Sequence, residues 1–291
     1  MRSSSDSDPV TLRLPRTYDP VRLRADLAHL EDQQGRPAGY PGESHRNWTS
    51  LTLLSGTDAS NLHRTPYLRT CLEKLDCSLR LVRLMALGPG GIIDWHADPF
   101  VGFEHGVVRL HVPILTHPAI ELFIQEHRCV WSPGELWYGD FSRPHFGRNP
   151  TQVRRVHMVL DVEVDASLVA LFPSSSIAHS FKKSPEPVSP ECLERFAFDF
   201  VLPAGFAPPG DEFPPLEAPI SGSVRPYGTD LVLMVADQPM LKLEPTSDTT
   251  LEVIGLTPGT SLDCEICHNR VSRASLVSAG GRTRRFLEIV T

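Results

Sequence analysis

Beyond residue 78 the chain is written in short β-branched or aromatic segments, "LRLVRLMAL", "VVRLHVPIL", "IELFIQ", "GELWYGD" and "RRVHMVLDV", separated by Gly, Pro and Asn. The segments have the composition of strands and the separators that of turns. Regular spacing of this kind argues for a sandwich or barrel and against a βαβ architecture. A mainly β fold is the expectation, with any functional groups carried on strands and on the turns that join them.

The segments before residue 78 read differently. In "DPVRLRADLAHLEDQQ" Val21, Leu23, Leu27 and Leu30 recur near helical spacing, with Asp19 as N-cap and Pro20 at the first helical position. "TPYLRTCLEKLD" repeats the start signal with Thr65 and Pro66, and Leu68, Cys71, Leu72 and Leu75 make its apolar face. Residues 1–18 open on a serine-rich stretch that buries too little to order itself, and a flexible arm is expected there. Residues 19–184 read as one domain. Residues 185–226 are crowded with proline, "SPEPVSP" and "PAGFAPPGDEFPPLEAP", and read as a stiff linker. Residues 227–291 return to strand-like segments such as "DLVLMVA" and "TLEVIGL", enough for a small β-rich accessory domain.

Composition bounds the function. A chain of 291 residues with 41% hydrophobic residues can bury a real core, and a formal charge of −7 offers no generic attraction for phosphate backbones or anionic lipid. Nucleic-acid and membrane partners are therefore not expected. No run reaches the roughly 18 apolar residues of a membrane span, and "MRSSSDSDPV" lacks the apolar core of a secretory signal. A cytoplasmic location follows as the expectation, with Cys71, Cys77, Cys129, Cys192, Cys264 and Cys267 reduced.

One stretch carries chemistry. "DWHADPF", residues 94–100, follows the turn "GPGG" and sets a histidine and an aspartate on either side of one alanine. Side chains at i and i+2 of a strand point the same way, so His96 and Asp98 can present a nitrogen and an oxygen to one point. His145, in "SRPHFGRNP" just after a strand-like segment, can add a third donor. Two histidines and one carboxylate on a single face leave the opposite coordination positions open, as in non-haem Fe(II) oxygenases. Arg155 follows inside an apolar strand, and its planar fork suits a dicarboxylate. A guanidinium facing inward from such a strand calls for an anionic partner, either a ligand or a protein carboxylate. Two segments also share Arg-x-His, so Arg109 with His111, and Arg155 with His157, lie on one face of their strands. A His-x-Asp pair alone is more often structural; the ordered set within one β-rich segment favours metal.

Together these residues resemble the aspartyl/asparaginyl β-hydroxylase family, with its bacterial proline hydroxylase relatives, among the Fe(II)/2-oxoglutarate-dependent dioxygenases. The resemblance rests on "HAD", "VRLHVPIL", "SPGELWYGDFSRPHFGRNP" and "RRVHMVLDV" and covers roughly residues 78 to 165. It implies a double-stranded β-helix, a jelly-roll or cupin-like barrel, to which the residues themselves add supporting N-terminal helices and a small C-terminal β-rich appendage. By the same resemblance His96, Asp98 and His145 would bind Fe(II) as the catalytic centre. Arg155 would pair with the distal carboxylate of 2-oxoglutarate, and Arg109 and His111 would line the same co-substrate pocket. The implied reaction hydroxylates an amino acid, free or as an Asp-, Asn- or Pro-type residue of a peptide or carrier-bound intermediate. It consumes O2 and turns 2-oxoglutarate into succinate and CO2. Animal peptide aspartyl hydroxylases lack the aspartate ligand, so Asp98 sets this chain nearer the bacterial amino-acid hydroxylases. The β appendage departs from the helical tail of proline hydroxylases.

Other readings stay beside it. A jelly-roll can serve as a non-catalytic binding or regulatory module, and the same cofactors can drive desaturation or cyclisation. Trp95, Phe100, Phe103, Trp137 and Tyr138 flank the motif residues and serve either as pocket wall or as barrel core. "CEICH", residues 264–268, has the spacing of a haem attachment or half a zinc site, but with no second Cys pair nearby it reads as reduced strand and turn. No Gly-rich phosphate loop and no Gly-x-Ser-x-Gly elbow is present, which removes kinase, dinucleotide and α/β-hydrolase chemistry.

Overall fold

The computed structural model describes residues 9–33, 35–38, 45–55, 58–98, 100–173, 189, 195–207, 216–228, 230–235, 238–254, 256 and 259–290. The chain divides into two compact units, Met1–Gly39 with Glu43–Pro185, and Tyr40–Gly42 with Glu186–Thr291.

The first unit contains strands β1 (Thr11–Thr17), β2 (Arg36–Pro37), β3 (Arg46–Ser55), β4 (Leu79–His96), β5 (Val107–Leu115), β6 (Glu121–Ile124), β7 (His127–Arg128), β8 (Glu135–Gly139), β9 (His145–Arg148) and β10 (Arg155–Glu163). Helices α1 (Pro20–Ala28), α2 (Pro66–Leu75) and α3 (Ala166–Val169) accompany them. The order along the sheet is β1-β8-β5-β10-β4-β9-β6-β7, with β3 also on β4. Strand β4 is the hinge of this arrangement. Its first half, Leu79–Leu87, pairs with β10, and its second half pairs with β9 through Ile92, Ile93 and His96. One continuous strand thus serves two four-stranded layers, β8-β5-β10-β4 and β4-β9-β6-β7, which is the double-stranded β-helix.

The crossing of β4 between layers falls on "GPGG". Gly90 has φ of +67°, and a Cβ on Gly91 would lie 2.6 Å from Leu87 Cδ1 and 2.8 Å from the Gly88 carbonyl oxygen. Only glycine fits such a turn without displacement. Fully buried Asn149 holds it closed: its Nδ2 donates to the carbonyls of Leu87 (2.9 Å) and Val153 (2.8 Å), while its backbone pairs with Gly90 and Gly91.

Strand alternation then separates packing from chemistry. On β4, β5 and β10 the side chains Val82, Leu84, Val108, Leu110, Val112, Ile114, Val156, Met158 and Leu160 join Leu23 and Leu27 of α1 and Leu68, Leu72 and Leu75 of α2 in one apolar core. Each such side chain contributes about 1.5–3 kcal/mol on burial. The alternate residues Arg83, Met85, Arg109, His111, Arg155, His157 and Asp161 take the other face of the same strands. Helix α1 starts as its sequence predicts, with Asp19 accepting from Val21 N at 2.8 Å. Helix α2 begins at Pro66, but Thr65 makes no side-chain cap; buried Asp26 of α1 accepts from Tyr67 N and Leu68 N at 2.7 and 2.8 Å instead. A tertiary carboxylate therefore supplies the cap in place of Thr65.

Two boundaries differ from the sequence expectation. Part of the arm expected at residues 1–18 is strand: Thr11–Thr17 pairs with β8, Leu14 being buried, because an alternating segment beside an open sheet edge satisfies its backbone there. Residues 1–8 lie outside the described residues. The segment 185–226 also holds strands, β11 (Phe198–Leu202) and β12 (Ile220–Tyr227). With β13 (Asp230–Val235), β14 (Gln238–Pro245), β15 (Thr250–Ile254), β16 (Ser261–Cys267), β17 (Arg270–Val277) and β18 (Arg284–Val290) they form a closed barrel, β18 pairing back onto β11. Alternating Phe198, Phe200 and Leu202 belong to its core, so apolar period outweighs proline-rich surroundings. Residues 190–194 and 208–215 of the expected linker lie outside the described residues.

Candidate metal centre

The second half of β4 ends on His96, and β9 begins on His145 directly opposite, the two residues being register partners. Asp98 follows two residues after His96 and is tied to the Phe141 carbonyl through its backbone N–H at 2.8 Å. Donor atoms of His96, Asp98 and His145 all lie within 4.8 Å of one another. His96 Nε2 stands 3.6 Å from Asp98 Oδ1, and His145 Nε2 stands 3.8 Å from Asp98 Oδ2.

Both imidazoles are held for ligation. His96 Nδ1 lies 2.7 Å from the Asp94 carbonyl oxygen and His145 Nδ1 lies 3.0 Å from that of Arg143. A carbonyl only accepts, so each Nδ1 carries the proton and each Nε2 presents a lone pair inward. Burial pushes His145 down to about 4 against the opposing pull of Asp98, which keeps it neutral near pH 7. Burial would raise Asp98, but Arg109, His145 and His96 outweigh it and hold the carboxyl well below the usual range. Two neutral nitrogens and one carboxylate on one face are a donor set that fits a divalent transition metal with open positions.

The loop before His145 is braced as well. Asp140 accepts from Arg143 Nε at 2.5 Å and from Ser142 Oγ at 2.5 Å, and Arg143 Nη1 reaches Gln125 Oε1 at 3.2 Å.

A pocket opens on the cluster, with Asp98 and His145 in its wall beside Arg109, His111 and Arg155 and with Trp48, Met85, Ile93, Leu122, Phe141, Phe146 and Gly147 completing it. Arg155 is buried, and its Nε and Nη1 have no hydrogen-bond partner. Burial lowers its pKa to about 10, so it remains a cation. His111 is buried with Nε2 unpartnered and Nδ1 3.3 Å from His157 Nδ1. Desolvation first, then Arg155, holds both His111 and His157 well below the ordinary histidine value. Two orphaned donors of a buried arginine in a pocket wall are the mark of an anion's place.

Arg109 lines the pocket beside Arg155 and His111 and is also held by protein carboxylates. Its Nε and Nη2 donate to Asp161 at 2.6 and 2.8 Å and its Nη1 donates to Asp98, so it is engaged by two carboxylates. Of the flanking aromatics, Phe103 and Tyr138 pack with Phe172 in the core, whereas Trp95 is 56% exposed and stacks on Phe146. The aromatic wall of the pocket is built by Trp48, Phe141 and Phe146, which sequence reading did not single out. Phe141 sits inside "GDFSRPH", where proximity to His145 was a usable signal; Trp48 lies on β3, remote in sequence from every motif.

Among the described residues "CEICH" joins no cluster of three metal-capable side chains, and Cys267 Sγ lies 3.2 Å from His268 Nδ1. Cys264 is buried inside the closed barrel with its thiol pushed up to about 12 by burial, Cys267 is exposed, and His268 and Asn269 turn the hairpin with positive φ. The cysteines within the described residues are free, and Cys192 lies outside them.

The double-stranded β-helix thus carries a His-x-Asp…His donor cluster that fits a facial metal-binding site. Residues 20–164 match the family model described as aspartyl/asparaginyl beta-hydroxylase, and through this segment the chain belongs to that hydroxylase family. No curated protein matches the sequence. Similar solved structures include a prolyl-4-hydroxylase from Pseudomonas putida, 14% identical over 54% of this chain and 94% of its own, with a TM-score of 0.38. A prolyl hydroxylase from Trichoplax adhaerens in complex with a hypoxia inducible factor peptide is 12% identical over 56% of this chain and 88% of its own, TM-score 0.39. A collagen prolyl hydroxylase of Paramecium bursaria chlorella virus-1 is 10% identical over 56% of this chain and all (100%) of its own, TM-score 0.36. Among the described residues no helix is long and apolar enough to cross a membrane.

Proposed function

We propose that the protein is an Fe(II)- and 2-oxoglutarate-dependent dioxygenase that hydroxylates an amino acid, free or within a peptide or carrier-bound intermediate. The observation that carries this reading is one pocket whose wall holds Asp98 and His145 of the donor set together with Arg155, whose buried Nε and Nη1 have no hydrogen-bond partner. In this reading His96 and His145 would hold the metal through Nε2 and Asp98 through its carboxylate. Fe(II) held there supplies the one-electron chemistry that activates O2 alongside 2-oxoglutarate.

The chain's own part is placement. Arg155 receives the distal carboxylate of 2-oxoglutarate by a charge-assisted, two-pronged contact. His111 offers Nε2 to the same co-substrate from the neighbouring strand. Met85, Ile93, Leu122 and Phe141 keep water from the reacting centre, and Trp48 faces the mouth near His96, with ring centroids 5.9 Å apart. Substrate is then held with one C–H bond toward the metal.

The test is succinate release from 2-oxoglutarate by the Fe(II)-loaded full chain, screened against amino acids and short peptides. Substrate-stimulated succinate with a product 16 mass units heavier is expected, and Asp98→Ala should abolish it. A product lighter by 2 mass units would redirect the reading to desaturation or cyclisation. No succinate under any condition, from protein that binds metal, would leave a binding module.

A further inference from the structure

The inner face of the first unit carries a second set of charges that metal ligation does not use. Asp161 of β10 is fully buried, and β-sheet register sets it directly opposite Arg109 of β5. Arg109 grips it with both prongs, Nε to Oδ1 at 2.6 Å and Nη2 to Oδ2 at 2.8 Å. From β4, fully buried Arg83 adds Nη2 to Oδ2 at 3.2 Å. The remaining prong of Arg109, Nη1, donates to Oδ2 of Asp98. A line of alternating charge, Arg83–Asp161–Arg109–Asp98, therefore crosses three adjacent strands and ends on a metal-donor carboxylate.

Stability alone is a poor reason for this line, since apolar side chains of similar volume usually stabilise a core as well as buried ion pairs do. Its geometric effect is specific. Arg109 is fixed in the plane set by Asp161, so it can reach only one oxygen of Asp98, and the other, Oδ1, is turned toward His96 Nε2 at 3.6 Å. Freed from Asp161, the guanidinium has the shape to take both Asp98 oxygens itself. It would then compete with a cation for its ligand and stand beside it as an uncompensated positive charge.

We propose that Asp161 is a positioning residue for the metal centre, acting through Arg109 to present Asp98 by a single oxygen and to neutralise the cation beside the metal. The proposal rests on the metal-centre reading above. It gives Arg109 a structural hold on the ligand set in place of a role in binding the co-substrate, and it gives a buried charged residue within a largely apolar strand a reason to be there.

The experiment uses Co(II) alone as probe on the full chain, followed by its visible ligand-field bands and by calorimetry. Asp161→Asn should weaken Co(II) binding by about ten- to a hundredfold, in the range of outer ligand-shell changes, and should alter the ligand-field spectrum. Arg109→Gln should be costly too, and the double variant should be no worse than the poorer single one, because both act on the same contact. A merely structural Asp161 would lower the melting temperature and leave affinity, spectrum and additivity unchanged, which would overturn the proposal. Should Asp161→Asn fail to fold, Arg109→Lys, which keeps the charge and loses the fork, must show the same loss of affinity; wild-type affinity there overturns it equally. Wild-type protein that binds no Co(II) would sink the metal-centre reading itself, and the positioning role with it.

Discussion

The two units solve the same problem, curling antiparallel strands so that side chains alternate between inside and outside, and they fill the inside differently. In the closed barrel the inward positions are Phe200, Leu231, Leu233, Leu243, Leu251, Val253, Leu262 and Leu276, an apolar filling. Gly222 lets Phe200 in, since a Cβ there would stand 2.4 Å from its ring. In the β-helix the apolar residues of β4, β5 and β10 are spent on the face toward α1 and α2, and the inner face receives arginine, histidine and aspartate. The helices make this division possible, because a sheet whose core lies outside its curl can keep an open, polar interior. Where no helix backs the strands, the interior itself must be the core.

This contrast can be broken at several points. The largest effect is expected from His145→Ala, which removes one ligand and with it metal-dependent turnover, while the far-ultraviolet circular dichroism stays that of the wild type. Phe200→Ala should destabilise the closed barrel by about 3–5 kcal/mol in a denaturant titration, as for other buried aromatics cut to alanine. A cost below about 1 kcal/mol would mean that this interior is not close-packed. Arg155→Met keeps the side chain's length and loses its donors; 2-oxoglutarate affinity should fall by roughly 1.5–3 kcal/mol, about ten- to a hundredfold, with Co(II) affinity retained. The smallest effect is that of pH on the metal-free protein. His111 and His157 are held neutral below their ordinary value of 6.5, whereas the unfolded chain takes up protons there. The unfolded state binds more protons, so stability should fall as pH drops below about 6.5 and be flat above it as far as these groups contribute. A midpoint that rises on acidification would contradict buried neutral imidazoles.

Much of the site was legible in the chain because two-residue alternation is a local property. It places Arg109 with His111 whatever the register, whereas Asp98 lies just past the end of β4 and is set beside His96 by its backbone bond to Phe141. The meeting of His145 with His96 needed the pairing of β9 with β4, which the motif order suggested and spacing alone did not determine. Asp161 and Arg83 escaped notice because a charge in an apolar run acquires a partner only when three strands are aligned. Trp48 escaped because β3 carries no motif. The linker expectation failed at Phe198–Leu202 for a different reason: proline content describes a neighbourhood, and a five-residue strand with alternating Phe, Phe and Leu is decided by the barrel it completes.

The most direct measurement is visible absorption of the full chain under anaerobic conditions as Fe(II) and then 2-oxoglutarate are added, for the wild type and for His96→Ala. An open facial centre that chelates 2-oxoglutarate should give a weak charge-transfer band near roughly 500 nm in the wild type and none in the variant. A folded wild type that stays colourless, or a variant that keeps the band, would contradict a centre built on His96, Asp98 and His145.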